Sequence, residues 1–368
     1  MASSGPADLP RIRDQVGRAL DDFLDRQRVL LSGIGGDMVA CLDAITDLLA
    51  GGKRLRPAFC YWGWRAFGGQ DCPQILAASA ALELLHASAL VHDDVMDGSD
   101  TRRGQPAVHR RFAARHDAES WRGPSEGFGA GAAILIGDLL LAWTDELFHA
   151  SGLPQAALRH GQPVLDAMRT EVISGQYLDL AGQASGSTTV ASALRVVVYK
   201  AAKYTVERPL HLGLALAEGA SHQDPGHQDP GQARLAAAFT GYGIPLGVAF
   251  QLRDDILGMF GDPAQTGKPV SDDVREGKRT VLVALARERA SRAEAAMLDR
   301  YLGDPLLSES AAAEVRAVIT GTGALAECEL MIDKRVREAL SAVQDAPITA
   351  QAMSALAELA VAATARCG

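Results

Sequence analysis

The sequence is poor in the features that mark most small sheet proteins and metal-thiol proteins. Aromatic residues are only 5% of 368, and no stretch of any length alternates apolar with polar residues, so extended β-sheet is excluded as the main architecture. Five cysteines (Cys41, Cys60, Cys72, Cys328, Cys367) are odd in number, scattered and without CxxC spacing, which excludes a disulfide framework and a zinc-thiolate site and points to a reducing compartment. Positive charge is not in excess: the net charge is -9, and no basic stripe offsets it, so a general nucleic-acid binder is excluded. No run of eighteen uninterrupted apolar residues occurs and MASSGPADLP has no basic-then-apolar pattern; a soluble cytoplasmic protein without stable membrane insertion is the expectation. Lysine is the scarcest of the charged types, with six against thirty arginines: Lys53, Lys200, Lys203, Lys268, Lys278 and Lys334. Where arginine serves almost everywhere, a surviving lysine marks either codon bias or a place that wants a compact ammonium. No serine or cysteine stands in a nucleophile motif.

What remains is helical. Hydrophobic residues are 48%, dominated by Ala and Leu, a composition suited to packed helices and enough to bury a sizeable core. No linker divides the chain, so residues 1–368 read as one domain, with 1–8 disordered and loop insertions at 117–131 and 219–232. The periodicity predicts helices over 8–28, 36–50, 54–67, 72–97, 131–150, 155–181, 188–204 and 232–260, then amphipathic helices over 279–366. A glycine-rich stretch at 123–131 reads as a mobile loop. The tandem HQDPGHQDPG (222–231) reads as an exposed turn.

The chain is organised around LELLHASALVHDDVMDGSDTRRG, residues 82–104. Asp93, Asp94 and Asp97 cluster in the last turn of an apolar helix that Gly98, Ser99 and Asp100 stop, with Arg102 and Arg103 just beyond. At spacings of three and four the carboxylates project from one side, about 6 Å apart, where the helix dipole disfavours negative charge. A hard cation would relieve them, and oxygen-only ligands beside phosphate-binding arginines favour Mg²⁺ bridging to a diphosphate over Zn²⁺. A pair alone decides nothing, because the chain has four Asp-Asp pairs, at Asp21, Asp93, Asp254 and Asp272; taken alone, DDVMD is equally a charged helix terminus. A second group, GVAFQLRDDILGMFGDPAQTGKPVSDDVREGK, places Gln251, Asp254, Asp255 and Gly258 near one helix face, with Lys268 and Lys278 in the loops after it. GGKRLRP puts Lys53, Arg54 and Arg56 at a helix start with unpaired N–H groups, a phosphate site unless it is only a solvated basic turn.

GGKRLRP, ELLHASALVHDDVMD, TRRGQP, FQLRDDILGMFGD, TGKP and GKRT, in this order, resemble the trans-type polyprenyl diphosphate synthases, over roughly residues 10 to 360. The resemblance implies an all-α, isoprenoid-synthase-type helical bundle around a deep central cavity, acting as a homodimer. It implies a prenyltransferase that condenses isopentenyl diphosphate head-to-tail with dimethylallyl, geranyl or farnesyl diphosphate by Mg²⁺-assisted ionisation, with three Mg²⁺ ions in the site. On that resemblance Asp93, Asp94 and Asp97 hold metal on the allylic diphosphate opposite Asp254 and Asp255. Arg102, Lys200, Lys268 and Lys278 contact the same diphosphate. Lys53, Arg56, His86 and Arg103 hold isopentenyl diphosphate, and Gln251 sits beside the reacting carbons. Two departures stand out: Gly258 occupies the place of a third aspartate, and Ala201 follows Lys200 where threonine or serine is common.

If Asp93 anchors the diphosphate, the tail runs back along the same helix past Ala89 and Leu85. Ser88 and Ala89 are small, so the tail passes the first turn and a twenty-carbon product, geranylgeranyl diphosphate, is expected, with Leu85, Leu139 and Met168 as candidate floors. Farnesyl or longer products are the alternatives. A class I terpene cyclase fits less well, because its second metal motif requires Asn or Asp with Ser or Thr and Glu at fixed spacing, and this chain has no Asn. An inactive partner subunit of a heteromeric prenyl synthase would usually lose the first acidic motif, which is intact. A phosphohydrolase built on His92 and Asp93 would leave the second acidic group unexplained.

Overall fold

The computed structural model describes residues 8–186, 188–221, 230–261, 272–304 and 306–365. Those residues form α1 (Leu9–Ile34), α2 (Met38–Leu49), α3 (Leu55–Ala66), α4 (Pro73–Asp97), α5 (Val108–Ala118), α6 (Ser125–His149), α7 (Gln155–Ser185) and α8 (Val190–Val196). A π-helical segment, Val197–Glu207, carries α8 without a break into α9 (Arg208–Ala220). Then come α10 (Pro230–Phe260), α11 (Asp272–Arg275), α12 (Val281–Arg289), α13 (Arg292–Tyr301), α14 (Glu309–Gly321), α15 (Ala324–Gln344) and α16 (Ala350–Thr364).

Helix α4 is the axis. Pro73 starts it, where a missing N–H costs nothing, and Gly98 ends it with φ 66°, its N–H bonded to the Asp94 carbonyl. Nearly every side of α4 is buried, including Leu82, Leu84, Leu85, Ala87 and Val91, so a single apolar stripe understates it. It packs on α6 and α3, while the π segment lies against α7 and α10, and α10 packs on α15. These elements surround a cavity of about 1170 Å³. Among the described residues three helices are long and apolar enough to cross a membrane by length and composition alone; in this bundle 72% of the α4 window is buried.

Several expectations need correction. The stretch 117–131 is not a loop insertion, because α5 runs to Ala118 and α6 begins at Ser125. One of its glycines permits close packing instead: a Cβ on Gly129 would stand 2.2 Å from the His109 carbonyl oxygen of α5. Helix α1 continues to Ile34, six residues past its expected end, and the helix expected over 188–204 changes register at Val197 and continues to Ala220. TRRGQP folds as a two-residue antiparallel hairpin, β1 (Thr101–Arg102) with β2 (Gln105–Pro106). Of the expected disordered start only Asp8 is described, preceding α1, and residues 1–7 lie outside the described residues. So do residues 222–229, most of the expected 219–232 insertion and of the HQDPG repeat; α9 ends at Ala220 and α10 begins at Pro230.

Candidate active site

The end of α4 brings cations and carboxylates together. Lys200, on the π segment, donates to Asp93 Oδ1 at 3.1 Å and to Asp179 Oδ2 of α7 at 2.6 Å. The Arg102 guanidinium stands 3.7 Å from Asp93 Oδ2 and binds Asp94 with both its Nε, at 2.9 Å, and an Nη. Burial works against ionisation of Asp93, yet Lys200, Lys278 and Arg102 hold its carboxyl below the usual range. Asp93 lines the cavity, but Asp94 is buried against Arg102 and does not, so the three carboxylates do not share one exposed side as the spacing predicts. The physical reason is Arg102: a bidentate guanidinium pair holds a carboxylate more firmly than solvent does.

Asp97 is the anomaly. Its side chain has no exposed area and neither oxygen has a hydrogen-bond partner; the nearest cation, Lys278 Nζ, is 3.9 Å away. Burial first, and then the charge of Asp93, push its carboxyl up to about 7. Lys278 itself donates to Asp273 Oδ1 at 3.0 Å and stands 2.7 Å from Glu276 Oε2.

On α10, Gln251, Asp254, Asp255 and Gly258 all line the cavity, but the two aspartates differ. Asp254 is exposed, whereas Asp255 is buried and accepts from Gln251 Nε2 at 2.8 Å. Burial, with Asp254 and Asp273 nearby, pushes Asp255 up to about 8 against the Gln251 hydrogen bond. Gln251 is therefore engaged with Asp255 in the ligand-free site. Lys268 lies outside the described residues.

Raised carboxyl pKa values have a definite sign. Asp97 and Asp255 bind a proton more tightly folded than unfolded, where Asp titrates near 3.9, so the stability they contribute is present at low pH and is lost as pH rises through about 7 and 8. In metal-free buffer the melting temperature of the wild type is expected to fall more steeply between pH 6 and 9 than that of Asp255→Asn. Parallel profiles by differential scanning calorimetry would contradict this.

The basic entry to α3 forms a second wall. Lys53 is exposed and reaches the Ala362 carbonyl at 3.3 Å, and Arg56 donates to Thr205 Oγ1 at 3.0 Å while stacking 4.2 Å above the Tyr204 ring. Arg103, at φ 53°, donates to the Leu48 and Ala50 carbonyls beside Gly52. Arg54 also lines the cavity, but its guanidinium is buried and already ion-paired with Glu83. His86 Nδ1 lies 3.2 Å from the Tyr204 hydroxyl; burial and then the charges of Arg56 and Arg103 hold its pKa well below the ordinary histidine value, so the ring is neutral.

Below the acidic mouth, Leu85, Ser88 and Ala89 line the cavity as the helix spacing predicts. Leu139 and Met168 do not. Met168 is fully buried and Leu139 packs against the core, while the residues lining those parts of α6 and α7 are Ile134, Leu141, Val172 and Ile173. A position on a helix face is set by how the helix is rotated against its neighbours, and one residue of phase separates Leu139 from the wall. Sequence reasoning also passed over Tyr204, Thr205, Glu83, Asp273 and Glu276. Only Asp273 carried a signal, as half of the Asp272 pair.

The carboxylates at the mouth suit a hard cation, since the donors are all oxygen; Asp97, behind them, does not line the cavity but keeps two buried oxygens without partners. Among the described residues no three His, Cys, Asp or Glu side chains form a ready metal cluster, so water or a substrate must supply further oxygens. Comparison with known proteins gives the family. The polyprenyl synthetase family model matches residues 39–319. The chain belongs to that family. It is a trans-prenyl diphosphate synthase, a transferase of prenyl groups. It is 30% identical to geranylgeranyl diphosphate synthase of Mycobacterium tuberculosis over 94% of this chain and 90% of that protein. It is 32% identical to geranylfarnesyl diphosphate synthase of Aeropyrum pernix over 80% and 84%. The crystal structure of geranylgeranyl pyrophosphate synthase from Corynebacterium glutamicum complexed with isoprenyl diphosphate and magnesium superposes with a TM-score of 0.91 at 39% identity, covering 98% of this chain and 99% of that one. In this prenyl synthase the acidic residues Asp93, Asp254 and Asp255 and the basic residues Lys53, Arg56 and Arg103 line one cavity.

Proposed function

We propose that this prenyl synthase condenses isopentenyl diphosphate head-to-tail with dimethylallyl, geranyl and farnesyl diphosphates, releasing geranylgeranyl diphosphate. The observation that carries the twenty-carbon product is the column beneath the acidic mouth, where small Ser88 and Ala89 line the cavity between Asp93 and Leu85. The allylic C1–O bond breaks and pyrophosphate leaves with the electron pair. The double bond of isopentenyl diphosphate then attacks C1, and a proton is lost to the departing pyrophosphate. Asp93 and Asp97 would hold Mg²⁺ on the diphosphate, supported by Asp254 and Asp255 from across the cavity, and that charge stabilises the leaving group. Three ions belong to this proposal.

Lys200, Lys278 and Arg102 add fixed positive charge beside the same diphosphate, and Lys268 belongs to this set on the sequence resemblance. Lys53, Arg56, Arg103 and His86 orient isopentenyl diphosphate, whose diphosphate suits their donors. Ala201 lines the cavity and offers no hydroxyl, whereas Thr205, one turn on, lines it with a hydroxyl that accepts from Arg56. Apolar side chains of α4, α6 and α7 keep water from the cation.

A homodimer is part of the proposal. The exposed Ile134 of α6 and the exposed Ile173 and Tyr177 of α7 line the cavity and require cover. The cytoplasm is the proposed compartment, supported by the cysteines Cys41, Cys60, Cys72 and Cys328, which are free among the described residues. The test of function is incubation with Mg²⁺, isopentenyl diphosphate and each allylic starter in turn. A discrete twenty-carbon product from all three starters is expected; a fifteen-carbon end product would overturn the chain-length reading, and no elongation would favour an inactive partner subunit.

A further inference from the structure

The π-helical segment is where the backbone departs furthest from an ordinary helix, and its last turn is tied to one carboxylate. That turn closes with the Arg208 N–H on the Lys203 carbonyl, five residues back. The side chains of the same two residues converge on Glu171 of α7. Lys203 Nζ donates to Oε1 at 2.8 Å, while Arg208 donates to Oε1 from an Nη and to Oε2 from Nε, each at 2.6 Å. All three side chains are mostly buried, and none of them lines the cavity. In an α-helix residues five apart stand about 140° apart around the axis, on largely different faces. Hydrogen bonds that close five residues back stack them instead, so one carboxylate can serve both. Glu207, four residues after Lys203, stands 3.4 Å from its ammonium, but an α-helix permits that spacing too, so this contact does not choose the register.

The inner side of the segment repeats the five-residue period. Lys200 and Thr205 both line the cavity, Lys200 bonded to Asp93 and Asp179 and Thr205 accepting from Arg56. Neighbouring helices leave room for the wider turn. A Cβ on Gly175 would stand 2.4 Å from Lys200 N, one on Gly247 2.3 Å from Ala202 Cα, and one on Gly243 2.6 Å from Glu207 Cα. We infer that Glu171 is a positioning residue that fixes the π register of residues 197–207, and through it holds Lys200 at the acidic mouth and Thr205 at the basic wall. Glu171 acts only through Lys203 and Arg208, because its own side chain does not reach the cavity.

The roles of Lys200 and Thr205 rest on the proposed function, whereas the register can be read without turnover. Two quantities are measured on the full chain: deuterium exchange of the amides over 197–208 by mass spectrometry, and kcat with isopentenyl and farnesyl diphosphates. Glu171→Gln, which keeps the shape, is compared with Asp145→Asn, which removes the charge from the Arg169 pair that ties α7 to α6. Glu171→Gln should speed exchange over 197–208 about tenfold and lower kcat about tenfold. Asp145→Asn should leave both within about twofold of wild type at a similar fall in melting temperature. Adding Lys203→Met to Glu171→Gln should cost little more, since both remove one contact. If Glu171→Gln does not fold, Arg208→Lys gives the same reading, because it keeps the charge and loses the fork that spans both oxygens. Unchanged exchange over 197–208, or an equal loss of kcat in Asp145→Asn, would overturn the inference. Absence of prenyl transfer in the wild type would overturn the parent reading, and the exchange result would still decide the register.

Discussion

Asp93→Asn is expected to reduce kcat/KM for prenyl transfer on the order of 10³-fold, with the helical circular dichroism spectrum unchanged. Asp93 is the cavity-facing carboxylate on which Lys200 and Arg102 converge, and those cations hold it below the usual carboxylate range. The neutral amide keeps its volume but removes the charge that would hold metal against the leaving diphosphate. Lys200 would then keep a charged contact only with Asp179, its bond to position 93 reduced to one with a neutral amide oxygen. Asp94→Asn gives the contrast. Asp94 is buried and clasped by Arg102, so its loss acts through the position of that guanidinium, and a defect of roughly tenfold to a hundredfold is expected. Steady-state kinetics with labelled isopentenyl diphosphate would measure both, and an Asp93→Asn enzyme within tenfold of wild type would remove this residue from the metal set.

Ala89→Phe is expected to shift the end product from twenty carbons to fifteen or fewer, while the rate of the first condensation changes by less than about tenfold. One helical turn, about 5.4 Å of axial rise, separates Ala89 from Asp93, and Ala89 lines the cavity with Ser88 beside it. A phenyl ring at that position fills the passage that the growing tail needs after the first additions. Because Ala89 is only partly buried and borders an existing cavity, the ring is placed in open space and the overpacking cost to the core stays small. Leu139→Ala and Met168→Ala serve as controls: neither residue lines the cavity, so neither should lengthen the product, and Met168→Ala should lower stability by about 2–5 kcal/mol as a buried cavity. Chromatography of the dephosphorylated alcohols reads the outcome directly. An unchanged product spectrum in Ala89→Phe would mean that the tail does not run along α4.

Much of the site was legible because its pieces are local in sequence. DDVMD lies within one helical turn, and TRRG follows it immediately; four of the six lysines fall on motif positions, three of which the structure describes at the cavity or its basic rim. The companion groups were legible only as types. Lys278 and Asp93 were visible as a cation and an anion, but not that Lys278 would bond Asp273 and Glu276 while Lys200 takes Asp93 and Asp179. Arg54 reads as a free cation from its neighbours in GGKRLRP, and only the approach of Glu83 from α4 shows that its charge is already paired at the cavity wall. The glycines at the start of α6 read as a loop because glycine is a poor helix former; the α5–α6 crossing makes one of them, Gly129, necessary in the helix.

By itself the sequence determined the helical class, the positions of two acidic groups, the basic entry to α3 and the small residues beneath Asp93, because each depends on composition or on the 3.6-residue period of a single helix. Only the tertiary structure decided which of those carboxylates faces the cavity, which residues form its far wall, and where the π-helical turn sets Lys200, Tyr204 and Thr205. These depend on the rotation of one helix against another, and no local period carries that information.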